Sequence, residues 1–149
     1  MIQIGVIGAG QDKDETNQRA FEVGREIARA GAILICGGLG GVMEAASRGA
    51  REEKGTTVGI LPGPDKDEAN PHIDIPIPTD FGHARNAIVV RASDAVIAVG
   101  GGYGTLSEIA LALKMGKPVM GLDTWEISGV RKVSSAIEAV KSALDLLHE

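Results

Sequence analysis

Five short stretches of this chain are apolar without the polar alternation of a strand that has one face in water. They are Gln3–Ile7, Ala32–Cys36, Thr57–Leu61, Ala95–Val99 and Pro118–Leu122. Such runs must be covered on both faces, as in a parallel sheet held between two layers of helices. Each run stops at a residue that closes a strand: Gly8, Gly37, Pro62, Gly100 or Asp123. His72–Pro78 offers a sixth strand, and Pro71, Pro76 and Pro78 confine it to an edge, because proline has no N–H for a ladder.

The segments between these runs predict helices over Glu15–Ala30, Gly41–Glu53, Gly82–Ala92, Thr105–Met115 and Val133–His148. In the last of them Val133, Ile137, Val140, Leu144 and Leu147 fall on one apolar stripe, as on a helix lying against a sheet. Strict alternation of strand and helix, with right-handed crossovers, gives an α/β fold of three layers, a Rossmann-like doubly wound parallel sheet. A length of 149 residues suits a single domain, residues 1–149. Ligands of such sheets sit beyond the carboxyl ends of the strands.

Charge and residue usage narrow the partners. The net charge is −5 and no Lys/Arg cluster occurs, so a surface that neutralises many phosphates of a nucleic acid is not expected. Phe21, Phe81, Tyr103 and Trp125 are the only aromatic residues, too few for a platform that stacks single strands. Cys36 is the only cysteine, which excludes an internal disulfide and a multi-cysteine zinc site; no metal site is expected, and a reducing cytoplasm suits the chain. No stretch reaches the ~18 apolar residues of a membrane span, and the N-terminal run has no basic leader, so neither export nor a membrane partner is expected.

Three strand ends carry glycine: Gly8 and Gly10; Gly37, Gly38, Gly40 and Gly41; and Gly100, Gly101, Gly102 and Gly104, the last group interleaved with Tyr103 and followed by Thr105. Glycine permits positive φ and close approach of a ligand to the backbone, while the following helix N-terminus presents free N–H donors. Tight turns need glycine anyway, and for Gly8 and Gly10 that reading stands level with a binding role. The density in the other two loops exceeds what a turn requires and points to phosphate. The dinucleotide fingerprint fails, since Lys13 stands at its third glycine position and the second strand ends in Cys36-Gly37 without an acidic ribose ligand. A Walker A loop is absent as well.

The segments Cys36–Ala50 (CGGLGGVMEAASRGA), Gly59–Gly63 (GILPG), His83–Asn86 (HARN) and Val99–Ile109 (VGGGYGTLSEI) together resemble the Lonely Guy superfamily, whose members are often mislabelled lysine decarboxylases. The superfamily includes phosphoribohydrolases of cytokinin nucleoside monophosphates and a branch resembling the molybdenum cofactor carrier protein. The hydrolase loop reads Pro-Gly-Gly-x-Gly-Thr-x-x-Glu, with an Arg-Lys pair on an earlier helix. This chain matches it at Gly101, Gly102, Gly104, Thr105 and Glu108 and at Arg85, but has Gly100 for the proline and Asn86 for the lysine. Both departures point toward the carrier-like branch.

The glycine turns and the resemblance together imply ligand contacts from Gly8, Gly10, Gly37, Gly38, Gly40, Gly41, Arg85, Asn86, Gly101, Gly102, Tyr103, Gly104 and Thr105, and the resemblance implies catalysis, if any, by Arg85 and Glu108. Thr105-x-x-Glu108 also reads as a capping box, which would give Glu108 a purely structural duty. Arg85 reads either as a solvated helix arginine or as a phosphate ligand, His83 as a surface or cap residue, Met43 as core, Asp94 as a turn residue, and Cys36 as a small apolar filler. Two functions remain open. One is a carrier that binds a nucleoside monophosphate or a molybdopterin-type ligand on its glycine loops, with no required cofactor. The other is a nucleoside 5′-monophosphate phosphoribohydrolase that cleaves N-glycosyl bonds. Lysine decarboxylation is set aside, because no lysine sits in a motif for pyridoxal phosphate. Ala87–Ala92 and Leu106–Met115 are apolar nearly all round, which predicts a homo-oligomer, a dimer or a tetramer built from such dimers, with Ile88, Val89, Leu111 and Leu113 in the interface.

Overall fold

The structure, a computed structural model, describes residues 1–148. One seven-stranded parallel sheet runs through the molecule. Its strands are β1 (Gln3–Gly8), β2 (Ile33–Cys36), β3 (Thr57–Leu61), β4 (Ile75–Pro78), β5 (Ala95–Val99), β6 (Val119–Leu122) and β7 (Val130–Lys132), in the order β4-β3-β2-β1-β5-β6-β7. The helices are α1 (Asp14–Arg29), α2 (Val42–Glu52), α3 (Arg85–Ala92), α4 (Tyr103–Lys114) and α5 (Ala136–Leu147), with 3-10 turns at Lys66–Glu68 and Gly82–Ala84.

The absence of alternation in the strands has the expected cause. Ile4, Val6, Leu34, Cys36, Ile97 and Val99 pack in one core with residues of α1, α2 and α5, while Ile7, Ile35, Val96 and Ala98 pack in a second core with residues of α3 and α4. Helices α1 and α2 lie close enough that a Cβ at Gly24 would collide with the Ala46 carbonyl and one at Gly49 with the Phe21 carbonyl. The chain builds outward from β1 to β4 and then returns to place β5 on the other side of β1. That reversal leaves a crevice above the carboxyl ends of β1 and β5, the position at which doubly wound sheets bind ligands.

Strand β4 occupies an edge, as its prolines require, and leaves Ile75 and Ile77 exposed. At the other edge the structure corrects the sequence reading. Val130–Lys132 forms β7, a short strand with Arg131 and Lys132 in solvent, so no apolar run advertises it. The helix expected from Val133 starts at Ala136, and Ile137 is 65% exposed; the buried face is Ala136, Ala139, Val140 and Ala143. Ser135 sets this start, since its hydroxyl accepts from the Glu138 N–H at 3.1 Å while the Glu138 carboxylate accepts from Ser134. No helix among the described residues is long and apolar enough to cross a membrane.

Candidate functional site

A cavity of about 430 Å³ opens in that crevice, between the loops after β1, β2 and β5 and the first turns of α3 and α4. Of the residues expected there, Gly8, Gly10, Gly37, Arg85, Asn86, Gly102, Gly104, Thr105 and Glu108 line it together. Gly38, Gly40, Gly41, Gly101 and Tyr103 do not, each for a local reason. Gly38 and Gly41 have φ of +79° and +63° and pack on their own protein: a Cβ at Gly38 would meet Leu61 and Gly59, and one at Gly41 would collide with the Ala9 carbonyl. Gly40 faces the Gly10 carbonyl, Gly101 lies against the Thr105 side chain, and Tyr103 turns outward, 84% exposed, to stack on Trp125 at 6.1 Å between centroids.

Ala9, Gln11, Met43 and His83 line the cavity although sequence reasoning did not assign them to it. Met43, read as core, is a residue of both places: it is 9% exposed and its sulfur lies under Gly37. Gln11 follows the first glycine turn directly, and that adjacency was the available signal. Cys36 is fully buried beneath the floor, 3.6 Å from the Ser47 hydroxyl, and burial pushes its thiol up.

The loop after β5 is held from behind. The Thr124 hydroxyl donates to the Gly100 carbonyl at 2.6 Å, and the Trp125 indole N–H donates to the Gly102 carbonyl at 3.0 Å. In a trans peptide the C=O and the following N–H point in opposite directions. Fixing these two carbonyls therefore turns the N–H groups of Gly101 and Tyr103 away from the β6–β7 side. Helix α4 begins at Tyr103 with Gly102 as its cap residue and no side-chain cap, so its first N–H groups carry no intrahelical partner. This start also overturns the capping box, because Thr105 lies inside the first turn and Glu108 in the second, where neither can cap.

Freed from capping, Glu108 is a carboxylate 8% exposed at the cavity wall. Burial raises its pKa to about 7, against the pull of the nearby Arg85 guanidinium, yet the two form no ion pair within 4 Å among the described residues. Arg85 is not a solvated helix arginine. It is 9% exposed, its guanidinium bonds the Asn86 side chain and, at 3.4 Å, the Gly37 carbonyl, and its buried Nε has no partner. Burial also draws its pKa down. Asn86 thus holds the Arg85 guanidinium at the cavity wall in the place where the hydrolase motif has a lysine. Gly100 has φ of +59°, which a proline ring, fixed near −65°, cannot adopt. No group of three or more His, Cys, Asp or Glu among the described residues is arranged to hold a metal ion.

The model of the SLOG cluster4 family matches residues 1–146 of this chain. An uncharacterised protein of Archaeoglobus fulgidus is 55% identical over 141 residues, covering 94% of this chain and 93% of that protein. A cytokinin riboside 5′-monophosphate phosphoribohydrolase of Mycobacterium tuberculosis is 37% identical over 121 residues, 74% of this chain and 64% of its own length. Among solved structures, the molybdenum cofactor binding protein of Rippkaea orientalis superposes with a TM-score of 0.89 at 42% identity, covering 96% of this chain and 97% of that one. The molybdenum cofactor carrier protein of Chlamydomonas reinhardtii superposes with a TM-score of 0.91 at 38% identity, covering 99% of both chains.

Proposed function

This chain belongs to the SLOG cluster4 family, and from that premise we propose that it is a binding or carrier protein for a phosphate-bearing pterin of the molybdenum cofactor type. Arg85 carries the reading. Its guanidinium, largely withdrawn from water at the cavity wall, is bonded only to the Asn86 side chain and, at 3.4 Å, to the Gly37 carbonyl, which leaves N–H donors for an anion in the cavity. The phosphate then rests on the open N–H groups at the start of α4, and the ring system lies between Arg85 and Glu108, whose carboxylate accepts from the N–H edge of a 2-amino-4-oxopyrimidine ring.

A second reading, the phosphoribohydrolase, draws on Glu108. A carboxyl group whose pKa is about 7 suits a general acid or base at neutral pH, and the mycobacterial relative has that activity by name. One experiment separates the two: the protein is incubated with nucleoside 5′-monophosphates, and free base is sought by chromatography alongside calorimetric binding. Binding without base release supports the carrier; base release supports the enzyme. Loss of binding to either ligand class in Arg85→Met is expected on both readings, and unchanged affinity in that variant would sink the shared site.

Val89, expected at an interface, is fully buried within the protomer and has no surface to offer one, whereas Ile88, Leu111 and Leu113 remain partly exposed on α3 and α4. A second copy covering that face gives a dimer, which light scattering at micromolar concentration tests directly. The cytoplasm is the proposed location, a compartment in which a lone thiol such as Cys36 stays reduced.

A further inference from the structure

A second cavity, of about 500 Å³, lies on the other side of the same two loops, over the ends of β5 and β6 and beside the start of α1. Ala9 and Gln11 belong to both cavities. The loop after β5 is divided between them, with Gly102 and Gly104 facing the first and Gly100 and Gly101 facing the second. Only a crest of loop backbone separates the two spaces. We propose that the second cavity is a further ligand subsite, and that the ligand crosses the crest as a diphosphate-bridged compound with a hydroxyl-rich, sugar-like half beyond it. The inference rests on reading the first cavity as a phosphate site.

The charge pattern selects this class. Asp12, Glu15 and Asp123 line the second cavity, and three carboxylates disfavour a free anion deep inside it. Carboxylates only accept hydrogen bonds, so they match sugar hydroxyls, as the acidic ribose ligands of dinucleotide folds do. Arg19, the other cation beside Lys13, is already tied to Asp123 at 3.1 Å. Lys13 lines the same space and forms no ion pair among the described residues, so it is the cation left for a bridging phosphate. No aromatic ring lines this cavity, which argues for a sugar rather than a stacked base. Each space is in the lower half of the ~300–1,000 Å³ range of ligand pockets, so each takes one moiety and the pair takes a longer ligand.

The glycine that departs from the hydrolase motif gains a reason here. A Cβ at Gly100 would stand 3.0 Å from the Thr16 methyl group, and Gly100 and Thr16 are walls of the second cavity. A side chain at position 100 narrows the passage from the crest. The bare backbone keeps it open.

Calorimetry with GMP, GDP and GDP-mannose tests the proposal, guanine sharing the 2-amino-4-oxopyrimidine edge of a pterin. We expect GDP-mannose to bind about tenfold or more tightly than GMP. Thr16→Tyr, which fills the second cavity, should erase that gain and leave GMP affinity unchanged. Lys13→Ala, at an exposed position, should reduce the gain and serves if Thr16→Tyr does not fold. Equal affinity for GMP and GDP-mannose overturns the second subsite alone, and a gain that survives both substitutions does the same. Binding of none of the three overturns the phosphate reading of the first cavity and this inference with it.

Discussion

The loops after β2 and β5 have similar glycine content and nearly equivalent places at the sheet edge, yet they use glycine for different ends. After β2, the positive φ of Gly38 and Gly41 lets the loop pack on its own protein, and the first N–H of α2, from Val42, is already taken by the Ala9 carbonyl at 3.0 Å. After β5, a Cβ on Gly102 or Gly104 would meet no protein atom within 4 Å, and the first N–H groups of α4 are uncapped. The first loop is a joint between protein segments beyond Gly37; the second joins a turn at Gly100 and Gly101 to a bare stretch at Gly102 and Gly104. Glycine density alone does not distinguish them.

The comparison breaks first, if it is wrong, at Gly41. Its φ of +63° and ψ of −129° belong to a region essentially restricted to glycine, and a Cβ would run into the Ala9 carbonyl. Gly41→Ala should therefore destabilise the fold by about 4 kcal/mol or prevent folding. Urea denaturation measures this, and a loss under about 1 kcal/mol would show that the β2 loop is not a packed joint.

Glu108, beside the open loop, should show the opposite sign. Its folded-state pKa of about 7 lies above the ordinary carboxyl value of 4.5, so the folded protein holds that proton more tightly than the unfolded chain. Stability from this group is complete below pH 4.5, falls as pH rises to 7, and is at its lowest above 7, by about 3 kcal/mol. Glu108→Gln removes the buried charge. The variant should gain up to about 3 kcal/mol at pH 8 and close to nothing at pH 4, while any base-releasing activity falls by about 10² or more. A variant that is less stable than the wild type at pH 8 would mean that Glu108 has a structural partner after all.

Gly104 sharpens the contrast further. It sits in the first turn of α4 with open space around it, so Gly104→Ala should stabilise the helix by about 0.5–1 kcal/mol. The same methyl group projects where the ligand is proposed to approach, and affinity for a phosphate monoester should fall about tenfold. Lower thermal stability together with unchanged binding would reverse the roles assigned to the two loops.

Much of this was legible before the structure. Strands covered on both faces leave no polar alternation, so β1, β2, β3, β5 and β6 could be read from their apolar runs and the residues that close them, and prolines marked β4 as an edge. Strand β7 hid because an exposed edge needs no apolar run, and the start of α5 was displaced because Val133, though buried, belongs to the preceding loop. Arg85 and Glu108 came from the resemblance; their burial and the missing cap came only from the fold. The packed and the open loop could not be told apart because the atoms that decide, the Ala9 carbonyl, Gly59 and Leu61, are remote in sequence from the glycines they touch.

The finest distinction between the loops is who holds their carbonyls, and Trp125 tests it. Its indole N–H bonds the Gly102 carbonyl, and its ring stacks on Tyr103. Trp125→Phe keeps a ring for the stack and deletes the indole hydrogen bond, which leaves the Gly102 carbonyl held by the Leu106 N–H alone at 3.0 Å, so the Gly102–Tyr103 peptide is less firmly fixed. A hydrogen bond of this kind contributes about 0.5–1.5 kcal/mol, which sets the expected loss of phosphate affinity at about three- to tenfold. The melting temperature should stay within about 2 °C of the wild type, because the bond lies at the surface and supports a loop rather than the core. Trp125 is the only tryptophan, so in the wild type its emission also reports ligand arrival at the loop it supports. If Trp125→Phe binds phosphate as the wild type does, the β5 loop needs no external clamp. The difference from the β2 loop then reduces to bare glycine and an uncapped helix.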